Sequence, residues 1–250
     1  MQYPGHVIKS GESNTSIVTA IAQRLQALHY IVTSPVGVFD AGLKSVIKLF
    51  QSQHLDAFGS PLRADGEIGP LTWGILFGVP ATAPAGGSRL ALAALAQARS
   101  QIGVMESPLG SNRGPLVDQY LASTATPPGN FWCMAFVHFC FMKAAAGLGV
   151  PNTFPRTAGC LDAWNKSAAF RITKTAVRAN PALVVPGAVF ILDLGGGFGH
   201  TGIVIACNGG ALKTIEGNSN STGSSNGLGV FELNRRNVMD GALKGFILIP

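Results

Sequence analysis

The chain has 250 residues, 47% of them hydrophobic and 12% charged. That is ample for a real core and too apolar for a disordered polymer. Eighteen Lys and Arg against twelve Asp and Glu give a formal net charge of +6, and all of the excess lies after residue 80. The basic residues are scattered, with only Arg171, Lys174 and Arg178 clustered, and no nucleic-acid motif accompanies them. A solvated basic surface is therefore expected, without a nucleic-acid partner. No apolar run reaches membrane-spanning length without Gly, Pro or charge breaking it, so membrane insertion is not expected. Four cysteines in a chain this long make no disulfide framework, and no CxxC pair suggests zinc. Neither a metal nor a cofactor is expected. The start, MQYPGHVIKSGES, lacks the basic head and apolar stretch of a secretory signal.

In chain order, Ile17 to Tyr30 reads as an amphipathic helix with Ile17, Ile21, Leu25 and Leu28 on one face. Asn14, Thr15 or Ser16 supplies its cap. After a turn at Ser34-Pro35-Val36-Gly37, Asp40 caps a second helix that carries Leu43, Val46, Ile47 and Phe50 inward. Gly69-Pro70 opens a short third helix and Gly78 closes it. Three short helices make a small all-α module over residues 1–78. Phe39, Phe50, Leu71 and Trp73 are expected in its core rather than on a ligand. Residues 79–89, GVPATAPAGGSR from Gly78 onward, are small and rich in Gly, Pro and Ala, and read as a linker.

A second unit is expected over residues 90–250. Leu90 to Ile102 is alanine-rich and helical, and Leu116 to Ala122 reads as another helix. Pro127, Pro128 and Gly129 then stop the chain before FWCMAFVHFC. Phe136, Val137, Cys140, Phe141 and Ala144 recur at helical spacing, with Gly147 as the stop. Trp164 marks one more short helix. From Val184 the period changes to that of strands: VVPGAVFILD, GHTGIVIA, ALKTIEG, then Gly229–Leu233 and Lys244–Ile249. Helices followed by an antiparallel sheet make this unit α+β.

Cys133 falls on the first turn of a buried helix. There the unpaired backbone N–H groups and the helix dipole favour an anion and lower a thiol pKa. A nucleophilic thiol needs a histidine. His138, five residues on, lies roughly 140° around the helix and diverges. His200 heads a strand after LGGGFG, where glycines permit close approach. A third group must orient the imidazole, and Glu216 or Asn218 can reach it across a hairpin. Register decides which. A two-residue turn at Asn208-Gly209 would set Thr201 opposite Glu216 and turn His200 to the other face. A three-residue loop, Cys207 to Gly209, pairs 206 with 210 and 200 with 216. The latter register is expected, with Gly209 at positive φ and Glu216 touching His200. Cys140 should be buried and inert, and Cys160 and Cys207 have no evident partner.

The first module, through LQALHY, GVFDAGLKSVIKLFQ and ADGEIGPLTWGILFG, resembles the peptidoglycan-binding domain of cell-wall hydrolases. The second, through Trp132-Cys133-Met-Ala-Phe-Val, Pro186-Gly187-x-Val, Gly199-His200-Thr-Gly-Ile-Val and Thr214-Ile-Glu216-Gly-Asn218, resembles the CHAP amidase/peptidase family. That resemblance implies a papain-like fold variant and cleavage of amide bonds in peptidoglycan, with Cys133 as nucleophile, His200 as base and Glu216 as orienting group. The acidic calcium loop of some members is not seen here. Asn218 is the second choice of orienter. The backbone N–H of Cys133 and the Asn130 side chain are candidates for the oxyanion hole, and Trp132 for a cleft wall or the core. Two other readings are a catalytically inactive wall-binding structural protein and a glycosidase using Glu106 and Asp118. The expected setting is synthesis in the cytoplasm without a signal peptide and action at the cell wall after release. A phage endolysin served by a holin and a secreted antibacterial effector with a cognate immunity protein both fit.

Overall fold

The computed structural model describes Met1 and residues 3–55, 62–78, 87–224 and 226–250. Most of the expected linker, residues 79–86, lies outside the described residues. The N-terminal part holds three helices: α1 (Thr15–Ala27), α2 (Ala41–Gln53) and α3 (Pro70–Phe77). Their caps are those the sequence supplies. Asn14 accepts a hydrogen bond from the Ile17 amide, Asp40 accepts one from that of Leu43, and Gly78 closes α3 at φ 59°. Val18, Ile21, Leu25, Leu43, Ile47, Phe50 and Trp73 form its core. Phe39 is buried with them and Leu71 packs against them half-buried. Ile8 bridges Ile68, so the chain ahead of α1 belongs to the same core.

A buried glutamine ties this module together. Gln51 Nε2 donates to the carbonyl of Glu67 at 2.8 Å and lies 3.1 Å from Asp65 Oδ1 and 3.2 Å from Thr72 Oγ1. Its Oε1 accepts from the Gly66 amide at 2.8 Å. Gly66 sits at φ 73°, and a Cβ there would come within 2.6 Å of Lys44 Cγ. The Phe-Gln, Asp-Gly and Thr-Trp signatures therefore describe one internal knot that fixes the loop between α2 and α3.

The second part carries α4 (Arg89–Ser100), α5 (Val117–Ser123), α6 (Cys133–Leu148), α7 (Cys160–Lys166), β1 (Arg171–Thr173), α8 (Lys174–Ala179), β2 (Val189–Gly195), β3 (Phe198–Asn208), β4 (Ala211–Ser219), β5 (Gly229–Asn237) and β6 (Leu243–Ile247). The strands form one antiparallel sheet in the order β1-β6-β2-β3-β4-β5. The N-terminal part is thus helical and the C-terminal part is α+β, the expected fold class. α6 is apolar round most of its surface and is buried from Cys133 to Phe141, with Lys143 and Ala146 exposed toward its end. It lies between α4 and α5 on one side and Val189, Ile191, Ile203, Ile215 and Ile247 of the sheet on the other. The opposite sheet face, with Phe190, Val204, Leu212 and Phe246, packs on Val177 of α8. No described helix is long and apolar enough to cross a membrane.

Several boundaries differ from the sequence reading. α6 runs through Gly147 and ends at Gly149, whose φ of 66° makes the left-handed cap. A lone helix-interior glycine costs only about 1 kcal/mol, which the packing of α6 outweighs. Ser88 caps α4, so Arg89 belongs to a helix rather than to a linker. The hairpin register is also corrected. β3 and β4 turn through Gly209 and Gly210, at φ 58° and 100°, and pair Asn208 with Ala211. That is a two-residue turn, not the expected three-residue loop. The register then shifts by one between Val204 and Ala206, so that Val204 faces Thr214 and Ile203 faces Ile215. This bulge at Ile205 reverses the alternation of side chains. It returns His200 and Glu216 to a common face by a route the turn sequence did not reveal.

Candidate active site

Cys133 is the first residue of α6. The first helical hydrogen bond runs from the Phe136 amide to the Trp132 carbonyl at 2.8 Å. The amides of Cys133, Met134 and Ala135 therefore stand outside the helical ladder and point toward the sulfur end of the helix. The Met134 amide is one of the groups that stabilise the Cys133 thiolate. The larger influence is a second thiol: Cys160, first residue of α7, holds its sulfur 3.6 Å from that of Cys133. Its hydrogen bond, with those from His200 and Met134 and the His200 charge, outweighs burial and holds the Cys133 thiol well below its ordinary range. The same contact pushes the Cys160 thiol up, with burial adding to it. The opposite shifts favour Cys133 as the thiolate and Cys160 as the thiol that donates to it.

His200 is the third residue of β3, opposite Leu192 of β2. Its Nε2 lies 2.8 Å from Glu216 Oε2, and both side chains are 0% exposed. The other ring nitrogen, Nδ1, is buried without a hydrogen-bond partner of normal geometry among the described residues. It is the nitrogen left to act on Cys133. Burial works against charge on His200. Hydrogen bonds and charges from Cys133 and Glu216 more than offset it, and the pKa rises to about 9. The two shifts together favour a thiolate on Cys133 beside an imidazolium on His200.

Glu216 reaches His200 diagonally. The register sets Ile215 opposite Ile203, so Glu216 lies across from Gly202. A Cβ at Gly202 would come within 2.7 Å of Glu216 Cγ and 2.6 Å of the Ile215 carbonyl. Gly202 is therefore the gap through which the carboxylate passes. Three further groups hold that carboxylate. Thr214 Oγ1 donates to Oε1 at 2.8 Å, Arg236 Nε donates to Oε1 at 3.0 Å, and Arg236 Nη2 donates to Oε2 at 2.8 Å. Burial alone would favour the neutral acid. The bonds from His200 and Arg236 override it and lower the pKa to about 2. Arg236 also donates to the Gly223 carbonyl and stacks its guanidinium 5.8 Å over the Phe190 ring.

Arg236 was not anticipated. The sequence reading ended the fourth candidate strand at Leu233, whereas β5 continues to Asn237. An arginine that alternates inward at the end of a strand was the available signal. The partner of Cys160 was likewise missed, because a contact between two helix starts leaves no trace in spacing.

The remaining site residues fall elsewhere. Asn218 is buried at φ 53°, and neither polar atom of its side chain has a partner among the described residues. Glu216, not Asn218, is the group on the imidazole. Asn130 is exposed and donates to the Pro127 carbonyl at 3.0 Å, within its own turn. Trp132 is fully buried, and its indole N–H donates to Glu106 Oε1 at 2.9 Å. Glu106 Oε2 accepts from the Asn112 amide, and Asp118 pairs with Arg113. Both carboxylates of the glycosidase reading are thus engaged in structure. His138 is packed against Ser123, and burial lowers its pKa to about 4. Cys140 is buried, which raises its pKa. Cys207 lies 3.5 Å from the Pro181 carbonyl, with its thiol raised to about 12 by burial. The basic cluster has internal duties: Arg171 stacks on Trp164, and Arg178 donates to the Val238 and Asp240 carbonyls. No group of three His, Cys, Asp or Glu among the described residues is arranged to hold a metal ion.

Two aromatic rings stand out in the surface near these elements. Phe131 and Phe198, each two residues ahead of a site residue, are 49% and 61% exposed and meet edge to face at 6.3 Å. A cleft of about 940 Å³ lies between the N-terminal module and β5; Arg236 is among its lining residues, and Cys133, His200 and Glu216 are not.

The family comparisons agree with this geometry. Residues 14–76 match the family described as "Putative peptidoglycan binding domain", and residues 125–218 match that described as "CHAP domain". The chain therefore carries a peptidoglycan-binding domain followed by a CHAP domain. That pair of domains supports a peptidoglycan hydrolase in general. No curated protein and no solved structure matches the chain.

Proposed function

We propose that the chain is a cysteine-dependent hydrolase of amide bonds in peptidoglycan, acting as a muramoyl-L-alanine amidase or as a stem or cross-link endopeptidase. The observation that carries this reading is the buried relay from Cys133 through His200 to Glu216 and Arg236. The Cys133 thiolate attacks the amide carbonyl carbon. Charge that develops on the carbonyl oxygen meets the amides at the start of α6, that of Cys133 foremost. The C–N bond then breaks, the His200 imidazolium gives its proton to the leaving amine, and a thioester remains. Water attacks the thioester as His200 takes a proton back. The acid leaves and the thiolate returns. Glu216 holds the ring tautomer and stabilises the imidazolium throughout. Residues 90–250 form the catalytic unit in this reading, and residues 1–78 hold the wall polymer.

The same reading extends to biology. The protein is bacteriolytic, as an endolysin released by a holin-type system or as a secreted effector countered by an immunity protein. It works at the wall after synthesis in the cytoplasm. Mass spectrometry of peptidoglycan digested by the full chain tests the reaction. Free muramic lactyl groups indicate amidase action, and new peptide termini indicate endopeptidase action. Reducing sugar ends without either product would overturn the proposal in favour of a glycosidase. An unchanged polymer would favour the inactive wall-binding alternative.

A further inference from the structure

We infer that Cys160 is a resolving cysteine, and that a peroxide converts Cys133 and Cys160 into a reversible disulfide that closes the active site. The two sulfurs are in van der Waals contact at 3.6 Å, and both cysteines are free. A disulfide requires about 2.05 Å, so closure needs the sulfurs to approach by roughly 1.5 Å. Cys160 stands at the first position of the seven-residue α7, directly after Gly159. It is held by few turns of helix, unlike a residue in the middle of α6. The pairing is also selective. Cys140 lies two helical turns along α6, and Cys207 sits against Pro181.

The chemistry balances with a hydroperoxide as oxidant. The Cys133 thiolate attacks the peroxide oxygen, the O–O bond breaks, an alkoxide or hydroxide leaves, and Cys133 becomes a sulfenic acid. Cys160, as the adjacent thiol, attacks that sulfur; the S–O bond breaks and water leaves as the disulfide forms. A dithiol returns both residues to thiols and is itself oxidised to a cyclic disulfide. With no resolving thiol, the sulfenic acid would advance to the sulfinic acid and be lost. Cys160 thus both donates a hydrogen bond to the thiolate and guards it.

The inference rests on the proposed function only for the loss of activity, since the bond itself is read by mass. The full chain is treated with a small excess of hydrogen peroxide, then mapped by mass spectrometry and assayed on cell walls before and after dithiothreitol. The expected result is a loss of two hydrogens, a cross-link between the peptides that hold Cys133 and Cys160, activity reduced at least tenfold, and recovery with dithiothreitol. In Cys160→Ser, the same treatment should add oxygen to Cys133 with no recovery. Oxygen added to Cys133 in the parent chain, with no cross-link and no recovery, would overturn the inference. A cross-link that leaves hydrolysis unchanged would support the thiol pair and count instead against Cys133 as nucleophile.

Discussion

Each half of the molecule holds a buried polar knot, and the two knots differ in kind. In the N-terminal module, Gln51 is neutral and both ends of its amide are satisfied: Gly66 donates to it, and Asp65, Glu67 and Thr72 accept from it. In the CHAP domain, Glu216 is charged and saturated with donors, but the histidine it holds keeps Nδ1 without a partner of normal hydrogen-bond geometry among the described residues. A satisfied neutral knot fixes a loop and does nothing further. A charged knot that ends in an unspent ring nitrogen beside a thiolate stores a proton transfer. Family signatures alone mark both knots equally. Only the hydrogen-bond accounting separates structural from chemical.

The comparison is broken most severely at the charged knot. Glu216→Gln keeps the shape but removes the charge that favours imidazolium. Hydrolysis of cell walls should fall by roughly 10²- to 10⁴-fold, the range for a displaced acid–base group or its orienter. The pH profile sharpens the point. In the parent chain, the ion pair persists from the lowered Cys133 pKa up to that of His200 at about 9, so activity should fall on the alkaline side near that value. Without the carboxylate the His200 pKa drops, and the alkaline limb should move to lower pH. An unmoved limb would show that Glu216 does not act through His200.

Next comes the outer end of the relay. Arg236→Ala leaves Glu216 buried with His200 as its one charged partner. Removing one member of a buried pair typically costs about 3–5 kcal/mol, to be read as a lower midpoint in denaturant titration. The same alkaline limb should shift, because a freer carboxylate holds the imidazole less well. Arg236→Lys restores charge but not the two-pronged grip on Oε1 and Oε2, and should fall between the two. If the alanine variant loses stability with no change in its pH profile, Arg236 is structural only.

The neutral knot should respond differently. Gln51→Leu orphans the Gly66 amide and the groups that accept from Gln51, at a cost of about 1–3 kcal/mol. Thermal unfolding and pelleting with insoluble peptidoglycan should weaken. The rate on soluble peptidoglycan fragments should be unchanged, since the hydrogen bonds of Gln51 run to Asp65, Gly66, Glu67 and Thr72 of its own module. A large fall in that rate would mean that the two halves are coupled.

Much of this was legible in sequence, for local reasons. Asn14 and Asp40 cap helices because a short acceptor before an apolar period does so wherever it stands. Cys133 reads as a helix start because Pro127, Pro128 and Gly129 forbid an earlier one. The contact between His200 and Glu216 was also foreseen, but its route was not. The turn at Gly209-Gly210 follows its residues, whereas the bulge at Ile205 depends on how β3 packs, and no residue there announces it. Arg236 and Cys160 were missed for a related reason. Each matters only through a neighbour distant in sequence, twenty residues from Glu216 and twenty-seven from Cys133. Chemistry that sits at an element's start shows in the chain, and chemistry that depends on contact between elements does not.

The most direct test of the central claim is Cys133→Ala in the full chain, assayed on one batch of purified cell walls for both release of soluble fragments and pelleting with the insoluble polymer. The account predicts that fragment release disappears while pelleting matches the parent chain, because Cys133 begins the relay and residues 1–78 are untouched. Fragment release that persists at the parental rate in the alanine variant would contradict it.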